Sequence, residues 1–185
     1  MCQSVLQDPG FFALLLHIDQ EEVNRIRQLG CPCGGRLNRD DFPRKPRGPF
    51  PGGHVWRKRF DLCCARCRHR RMPPSVRFLG RRVYYGFWVV LASALCNGLT
   101  GWREAHLAEA VPVPRQTMRR WLLWWTTEFV STPLWVAMHG AFLPPIAVWR
   151  LPASVLERFT AADEPARLLA LLRALAPLST MSEGR

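Results

Sequence analysis

The amino-acid sequence predicts a mainly α-helical chain with one small β segment that is closed by clustered cysteines. Three observations lead to this prediction. Apolar residues recur at three- and four-residue spacing through much of the second half of the chain. Five of the seven cysteines fall in two groups between residues 31 and 67, and a short alternating stretch precedes the second group. Most of the excess positive charge lies in this same cysteine-containing region.

The positive charge of the chain is concentrated in one block. The 185 residues include 24 arginines and two lysines, and the net charge is +12. Residues 25–82 hold 17 Lys and Arg against three Asp and Glu, a net charge of +14. Such a block indicates attraction to a polyanion, either nucleic acid or an anionic membrane surface. A solvated surface is the alternative interpretation of a charge run.

A helical segment is predicted at residues 1–30. Asp19 followed by Glu22 is a capping-box pattern, which marks a helix start at Asp19. Apolar residues then recur at helical spacing, and Gly30 marks the helix end. The predicted helix therefore ends immediately before the first cysteine of the first group, Cys31.

The two cysteine groups predict a metal site in a domain at residues 31–80. Tetrahedral Zn²⁺ takes four soft or imidazole ligands, with each pair presented by a tight turn. The predicted ligands are Cys31, Cys33, Cys64 and Cys67. The spacing of the first pair is one residue shorter than usual, so Cys63, His54 or His69 remains open as a replacement ligand. Free thiols that cluster by chance are the alternative to a metal site.

This arrangement resembles a zinc ribbon, in which two cysteine turns are joined through a small antiparallel sheet. The resemblance implies a structural Zn²⁺, because four thiolates leave no open coordination position for catalysis. A proline- and arginine-rich insertion separates the two cysteine groups and contains Arg44, Lys45 and Arg47. Part of it resembles an AT-hook, which lies in the DNA minor groove, and a solvated flexible loop is the alternative. Residues 55–62 alternate and predict a strand.

Residues 81–131 carry the second informative pattern. Residues 107–121 are similar to a helix-turn-helix, in which two helices meet at a steep angle and the second enters the major groove. The side chains predicted to face DNA are Arg115, Gln116, Arg119 and Arg120. Pro112 and Pro114 depart from the usual turn and cap residues. An ordinary helical hairpin with a basic exposed side is the alternative.

The remaining residues, 132–185, are predicted to form a C-terminal helical segment that either dimerises or closes the core. Two uncharged stretches, 83–102 and 129–149, are long enough to span a membrane. Their prolines, glycines and polar residues argue for buried helices instead, and no signal peptide is evident. The sequence therefore predicts a cytoplasmic, nucleoid-associated protein that does not enter a membrane.

A zinc ribbon followed by a helix-turn-helix resembles small bacterial proteins that are similar to the DNA-binding N-terminal part of transposases. The resemblance implies binding of double-stranded DNA. It does not imply strand transfer, because the 64 residues after Trp121 supply no clustered carboxylates for a two-metal site. We therefore expect a non-catalytic, zinc-containing DNA-binding protein, associated with a mobile element or acting as a transcriptional regulator. The predicted contacts in the basic block are Arg44, Lys45, Arg47, Arg57, Arg59, Arg68, Arg70 and Arg71.

Three alternatives remain open at this point. The chain is an accessory subunit or remnant of a transposase that acts with a separate catalytic chain, or an RNA-binding or scaffolding module, or a small membrane protein. A homodimer also remains open.

Overall fold

The structure is a computed structural model that describes Val5 and residues 8–47, 53–80, 82–96 and 113–180. It is mainly helical with a small antiparallel sheet, as predicted. The helices are α1 (Pro9–Leu29), α2 (Gly86–Cys96), α3 (Arg115–Thr126), α4 (Pro133–His139), α5 (Ala153–Leu156) and α6 (Glu164–Leu175). The strands are β1 (Leu37–Arg39), β2 (Phe42–Pro43), β3 (Lys58–Arg59), β4 (Leu62–Cys64) and β5 (Arg70–Arg71). Short 3₁₀ helices lie at His54–Arg57, Phe129–Ser131, Val148–Arg150 and Ala176–Ser179.

The described residues divide into two compact units. The first, which we call the cysteine unit, contains those of Asp8–Tyr85 together with residues 175–180. The second, the helical unit, contains Val5 and those of Gly86–Ala174. The units cut across the four segments predicted from the sequence, because α1 and the chain after residue 174 belong with the cysteine-containing region.

The cysteine unit is built on a three-stranded antiparallel sheet in the order β1, β4, β5. Strand β1 pairs with β4 so that Leu37 lies opposite Cys64. Apolar side chains of α1 pack with those of β1 and β4 in one buried cluster, which includes Val23, Ile26 and Leu62. Burial of these side chains fixes the sheet against the helix, and the two cysteine groups lie at the ends of these elements.

Helix α1 begins ten residues before the predicted start. Asp8 is its N-cap and accepts a hydrogen bond from the Gly10 N–H at 2.8 Å, and Gly30 follows its last residue. Asp19 lies inside the helix and is 2% exposed, so the predicted capping box at this position is wrong. Its carboxylate pairs with Arg77 at 2.7 Å and accepts the Val76 N–H at 2.8 Å. Asp19 therefore joins the helix to residues 75–77 of the same unit.

The predicted strand at residues 55–62 is replaced by shorter elements. The 3₁₀ helix His54–Arg57 is followed by the two-residue strand β3, and β4 begins only at Leu62. Trp56 is buried and contacts the rings of Phe12 and Tyr85 edge to face. A continuous strand would place residues 56, 58 and 60 on one face. Trp56 is instead packed from a 3₁₀ helix, so the alternating pattern does not continue through it.

The helical unit is organised around aromatic side chains. Helix α2 is buried over most of its length. Trp124 and Trp125 of α3 pack with Phe129, whose ring contacts Trp135 of α4 at a centroid distance of 5.3 Å. Such contacts dominate the energetics of a small core because each ring buries a large apolar area. In the part of the chain that the structure describes, no helix is both long enough and apolar enough to cross a membrane.

Candidate metal centre

Two turns bring the four predicted cysteine ligands together. The first follows α1, where the Cys31 N–H donates to the Gly35 carbonyl at 3.1 Å and the Gly34 N–H to the Cys31 carbonyl at 2.8 Å. The second follows β4, where the Cys64 N–H donates to the His69 carbonyl at 3.0 Å. The Ala65 N–H donates to the Arg36 carbonyl at 2.9 Å and so ties the second turn to the first.

The sulfur atoms lie at metal-binding distances from one another. All four Sγ atoms of Cys31, Cys33, Cys64 and Cys67 lie within 4.8 Å of each other. The Cys31–Cys67 pair is 3.6 Å apart and the Cys33–Cys64 pair is 3.5 Å apart. A tetrahedral site with Zn–S bonds of about 2.3 Å has sulfur–sulfur edges of about 3.8 Å. These four thiols could therefore bind one metal ion with little rearrangement.

The inner cysteine of the second turn is prepared for the thiolate form. The backbone N–H groups of Cys67 and Arg66 donate to the Cys64 Sγ at 3.5 and 3.4 Å. These donors, Cys67 first, lower the pKa of Cys64 to about 6 even though burial opposes the charged form. Metal ions bind the thiolate and not the thiol, so the Cys64 Sγ is prepared for metal binding near neutral pH.

Gly35 occupies the closest approach of the first turn to the second. A Cβ at this position would lie 2.6 Å from the Cys64 Sγ, 2.8 Å from the Arg66 Cβ and 3.3 Å from the Cys33 Sγ. Only a residue without a side chain lets the two turns come this close. The position of the sulfur atoms therefore depends on Gly35 as well as on the cysteines.

The alternative ligands left open by the sequence are not part of the four-sulfur group. Cys63 precedes Cys64 on β4, so its side chain lies on the other face of the strand. Its Sγ lies 3.6 Å from the Arg68 carbonyl. His54 lies in the 3₁₀ helix before β3, and the exposed His69 takes part through its backbone carbonyl.

The predicted DNA contacts of residues 25–82 differ in their exposure to solvent. Exposed side chains belong to Lys45, Arg47, Arg57, Arg68 and Arg70. Half-buried side chains belong to Arg44 and Arg71, and Arg71 donates to the Gly30 carbonyl at 3.4 Å. Arg70 is engaged in an ion pair with Asp40 and lies 3.6 Å from Asp61.

Arg59 was predicted to contact DNA, and this prediction is wrong. Its side chain is 1% exposed, so no phosphate can reach the guanidinium. It donates to the Pro73 carbonyl at 2.5 Å and to the Ser179 hydroxyl at 3.2 Å. Burial lowers the pKa of Arg59 to about 10. This arginine ties the C-terminal 3₁₀ segment to the cysteine unit.

The proline- and arginine-rich insertion, which we call the basic arm, is attached to the cysteine unit up to Arg47. The Arg44 guanidinium donates to the carbonyls of Gly80 and Arg82 at 3.1 and 3.0 Å and lies 5.3 Å from the centre of the Phe78 ring. Arg47 forms a backbone bridge with Tyr84. Because Arg44 faces the unit, Lys45 and Arg47 are the exposed cations of the arm.

Two arginines near the metal centre were missing from the predicted contacts. Arg36, just after the first turn, is exposed. Arg66, inside the second turn, is also exposed and donates to the Cys33 carbonyl at 2.8 Å. The sequence feature that could have identified Arg66 as exposed is its position between two predicted ligands, because a turn exposes the side chains between them.

Helix α3 presents the predicted recognition residues on its exposed side. Arg115, Gln116, Arg119 and Arg120 are all exposed, and Met118 and Trp121 are buried on the opposite side. Pro114 precedes the helix as its N-cap residue. The first helix expected for a helix-turn-helix, around residues 104–111, lies outside the described residues.

The comparisons with known proteins return no match, neither to a protein-family model nor to a curated protein nor to a solved structure.

Proposed function

We propose that the chain is a non-catalytic, zinc-containing DNA-binding protein, with a mobile-element accessory or a transcriptional regulator as its biological setting. The observation that carries the proposal is the four-sulfur group in a unit whose surface displays cations that have no ion-pair partner among the described residues. These cations include Arg36, Lys45, Arg47 and Arg68.

Zinc is the proposed metal because of the donor set. Four thiolates at tetrahedral edge distances suit Zn²⁺, which has no geometric preference of its own and binds sulfur strongly. All four positions are filled by protein sulfur, so the ion has a structural role and activates no water. The metal closes two turns of a small unit whose own core is modest, and metal binding then contributes directly to folding.

DNA is the proposed partner because of the exposed cations in both units. The cations of the cysteine unit suit phosphate contacts, which supply affinity and carry no sequence information. The exposed side of α3 combines three arginines with Gln116. Gln can pair with adenine and Arg with guanine at base edges in the major groove, so α3 is the proposed source of sequence preference.

Two measurements on the full chain test this proposal. Purified protein should contain about one zinc ion per chain by elemental analysis, and the double variant Cys64→Ser, Cys67→Ser should lose it. Cys63→Ser is the matched control, since it removes a neighbouring thiol outside the four-sulfur group and should keep the metal. A wild-type protein that is purified fully folded and without any bound metal would contradict the zinc proposal.

Binding is measured by fluorescence anisotropy with a labelled DNA duplex of mixed sequence at low salt. Affinity should fall as salt increases, because phosphate contacts release counterions. A structured RNA serves as competitor. Stronger competition by the RNA than by unlabelled duplex would assign the surface to RNA, and absence of binding at low salt would refute the proposal.

A further inference from the structure

The two cysteine turns share a backbone feature immediately after their second cysteine. Gly34 follows Cys33 with a φ of +77°, and Arg68 follows Cys67 with a φ of +59°. Arg68 is the one non-glycine residue with positive φ among the described residues. The positive φ after the second cysteine is therefore adopted by glycine in the first turn and by arginine in the second.

An arginine in the left-handed region is unfavourable for the fold. The Cβ atom of an L-residue crowds the following carbonyl in this conformation, so glycine adopts it most readily and Asn next. The residue type at position 68 therefore works against stability, unlike Gly34. The turn holds this conformation, since the Arg68 N–H donates to the Cys64 carbonyl at 3.1 Å, and a binding role of the side chain would offset its cost.

The side chain of Arg68 has no such role within the described fold. It is exposed, and no hydrogen-bond, ion-pair or ring partner of its guanidinium occurs among the described residues. Arg66 in the same turn differs, since its guanidinium donates to the Cys33 carbonyl at 2.8 Å and so helps to join the turns. Residues 62–69, which contain the turn, include no Asp or Glu, so its surface is cationic.

We infer that Arg68 is a phosphate-contacting residue of the metal-centre turn, where the left-handed backbone places an exposed guanidinium that binds the DNA backbone. This inference rests on the proposed DNA binding and adds the residue through which the metal centre takes part in it. A guanidinium suits this role because it presents a planar fork of donors to phosphate oxygens.

The rival role for Arg68 is to balance the charge of the metal centre. Four thiolates around Zn²⁺ carry a formal charge of −2, and a nearby cation would favour that state. The two roles predict different losses when the side chain is removed. Phosphate binding predicts weaker DNA affinity with unchanged metal affinity, whereas charge balance predicts weaker metal affinity.

The test compares Arg68→Gly with Arg68→Lys in the full zinc-loaded chain. Arg68→Gly should raise Tm by about 2–4 °C through relief of the left-handed conformation. It should also weaken binding of the mixed-sequence duplex by about eightfold at 0.1 M salt and reduce the salt slope by about 1, as expected for one lost phosphate contact. Arg68→Lys should keep the salt slope, because the charge remains. Arg68→Asn, which tolerates positive φ and lacks the charge, provides a second neutral variant in case Arg68→Gly folds poorly.

Arg39→Gln is the matched control for net charge. It removes one positive charge from the same unit, but this guanidinium is already paired with Asp41 at 2.7 Å, so the salt slope should stay near the wild-type value.

Three outcomes would overturn the inference. These are wild-type DNA affinity and slope in Arg68→Gly and Arg68→Asn, loss of zinc in those variants, or an equal slope change in Arg39→Gln. Failure of the wild-type chain to bind duplex at all would instead refute the proposed function, so the two failures are distinguishable.

Discussion

Replacement of Gly35 by alanine should disrupt the metal centre while leaving the rest of the cysteine unit in place. The new Cβ would lie 2.6 Å from the Cys64 Sγ and 2.8 Å from the Arg66 Cβ. Non-bonded heavy atoms settle at about 3.5–4.0 Å, so the sulfur has to move by about 1 Å. Neither neighbour is the free end of a flexible side chain, since the Cys64 Sγ ends a short side chain and the Arg66 Cβ is fixed by its own backbone.

The displacement is large compared with the tolerance of a metal site. Ligand distances in functional sites stay within about 0.2 Å of their preferred values, so a shift of about 1 Å removes Cys64 as a ligand or strains the turn that holds it. Overpacking of this kind costs about 1–3 kcal/mol. Since every 1.4 kcal/mol is a factor of ten, zinc affinity should fall by about 5- to 140-fold.

Competition with a chromophoric zinc chelator measures this change directly. Gly53→Ala is the matched control, because Gly53 lies in the same unit with a φ of −65° and a Cβ there would meet nothing within 4 Å. Wild-type zinc affinity in Gly35→Ala would refute the reasoning, as would an equal loss in Gly53→Ala. The first result would show that the turns can separate without cost.

Three further outcomes are expected. Asp19→Asn should destabilise the chain by about 3–5 kcal/mol in urea denaturation, because it leaves Arg77 as an unpaired buried charge, whereas Glu22→Gln in an exposed pair should cost under about 1 kcal/mol. The metal-free protein should lose stability as pH falls from about 9.0 to about 6, because protonation of the Cys64 thiolate removes the stabilisation that its lowered pKa represents. A Cys64→Ser variant with the same pH profile would contradict this prediction. Arg119→Ala should weaken binding of a preferred site by about 1–3 kcal/mol without changing the free energy of unfolding, and equal weakening on every duplex would make it a phosphate contact instead.

The four-sulfur group was predictable from the sequence because it depends on local cysteine spacing. Each turn holds its own cysteine pair, and the two pairs are joined by the register of β1 against β4, which places Leu37 opposite Cys64. The alternation of β4 also settles the choice between neighbouring cysteines, since Cys64 is buried and Cys63 lies on the other face. Local sequence pattern did not determine the register between β1 and β4, which sets how the two cysteine pairs meet.

The roles of the charged residues were less predictable because they depend on contacts between distant parts of the chain. Arg59 donates to Ser179, which lies 120 residues further on, and nothing near residue 59 marks it as buried. Asp19 matches the pattern of a helix start when only its neighbours in the sequence are considered. Its ion pair with Arg77 spans 58 residues and places it inside α1.

The burial of these charges changes what the net charge of the chain implies about DNA binding. The 17 Lys and Arg of residues 25–82 and the three Arg of α3 would together give a salt slope of about −18 if every one of them met a phosphate. Yet Arg59 and Arg77 are buried and Arg70 is paired with acids. The exposed cations that lack an ion-pair partner among the described residues include four in the cysteine unit and three on α3, namely Arg36, Lys45, Arg47, Arg68, Arg115, Arg119 and Arg120. Seven phosphate contacts correspond to a slope of about −6, so a measured slope near −18 would show that the cations inside the fold become available when DNA binds.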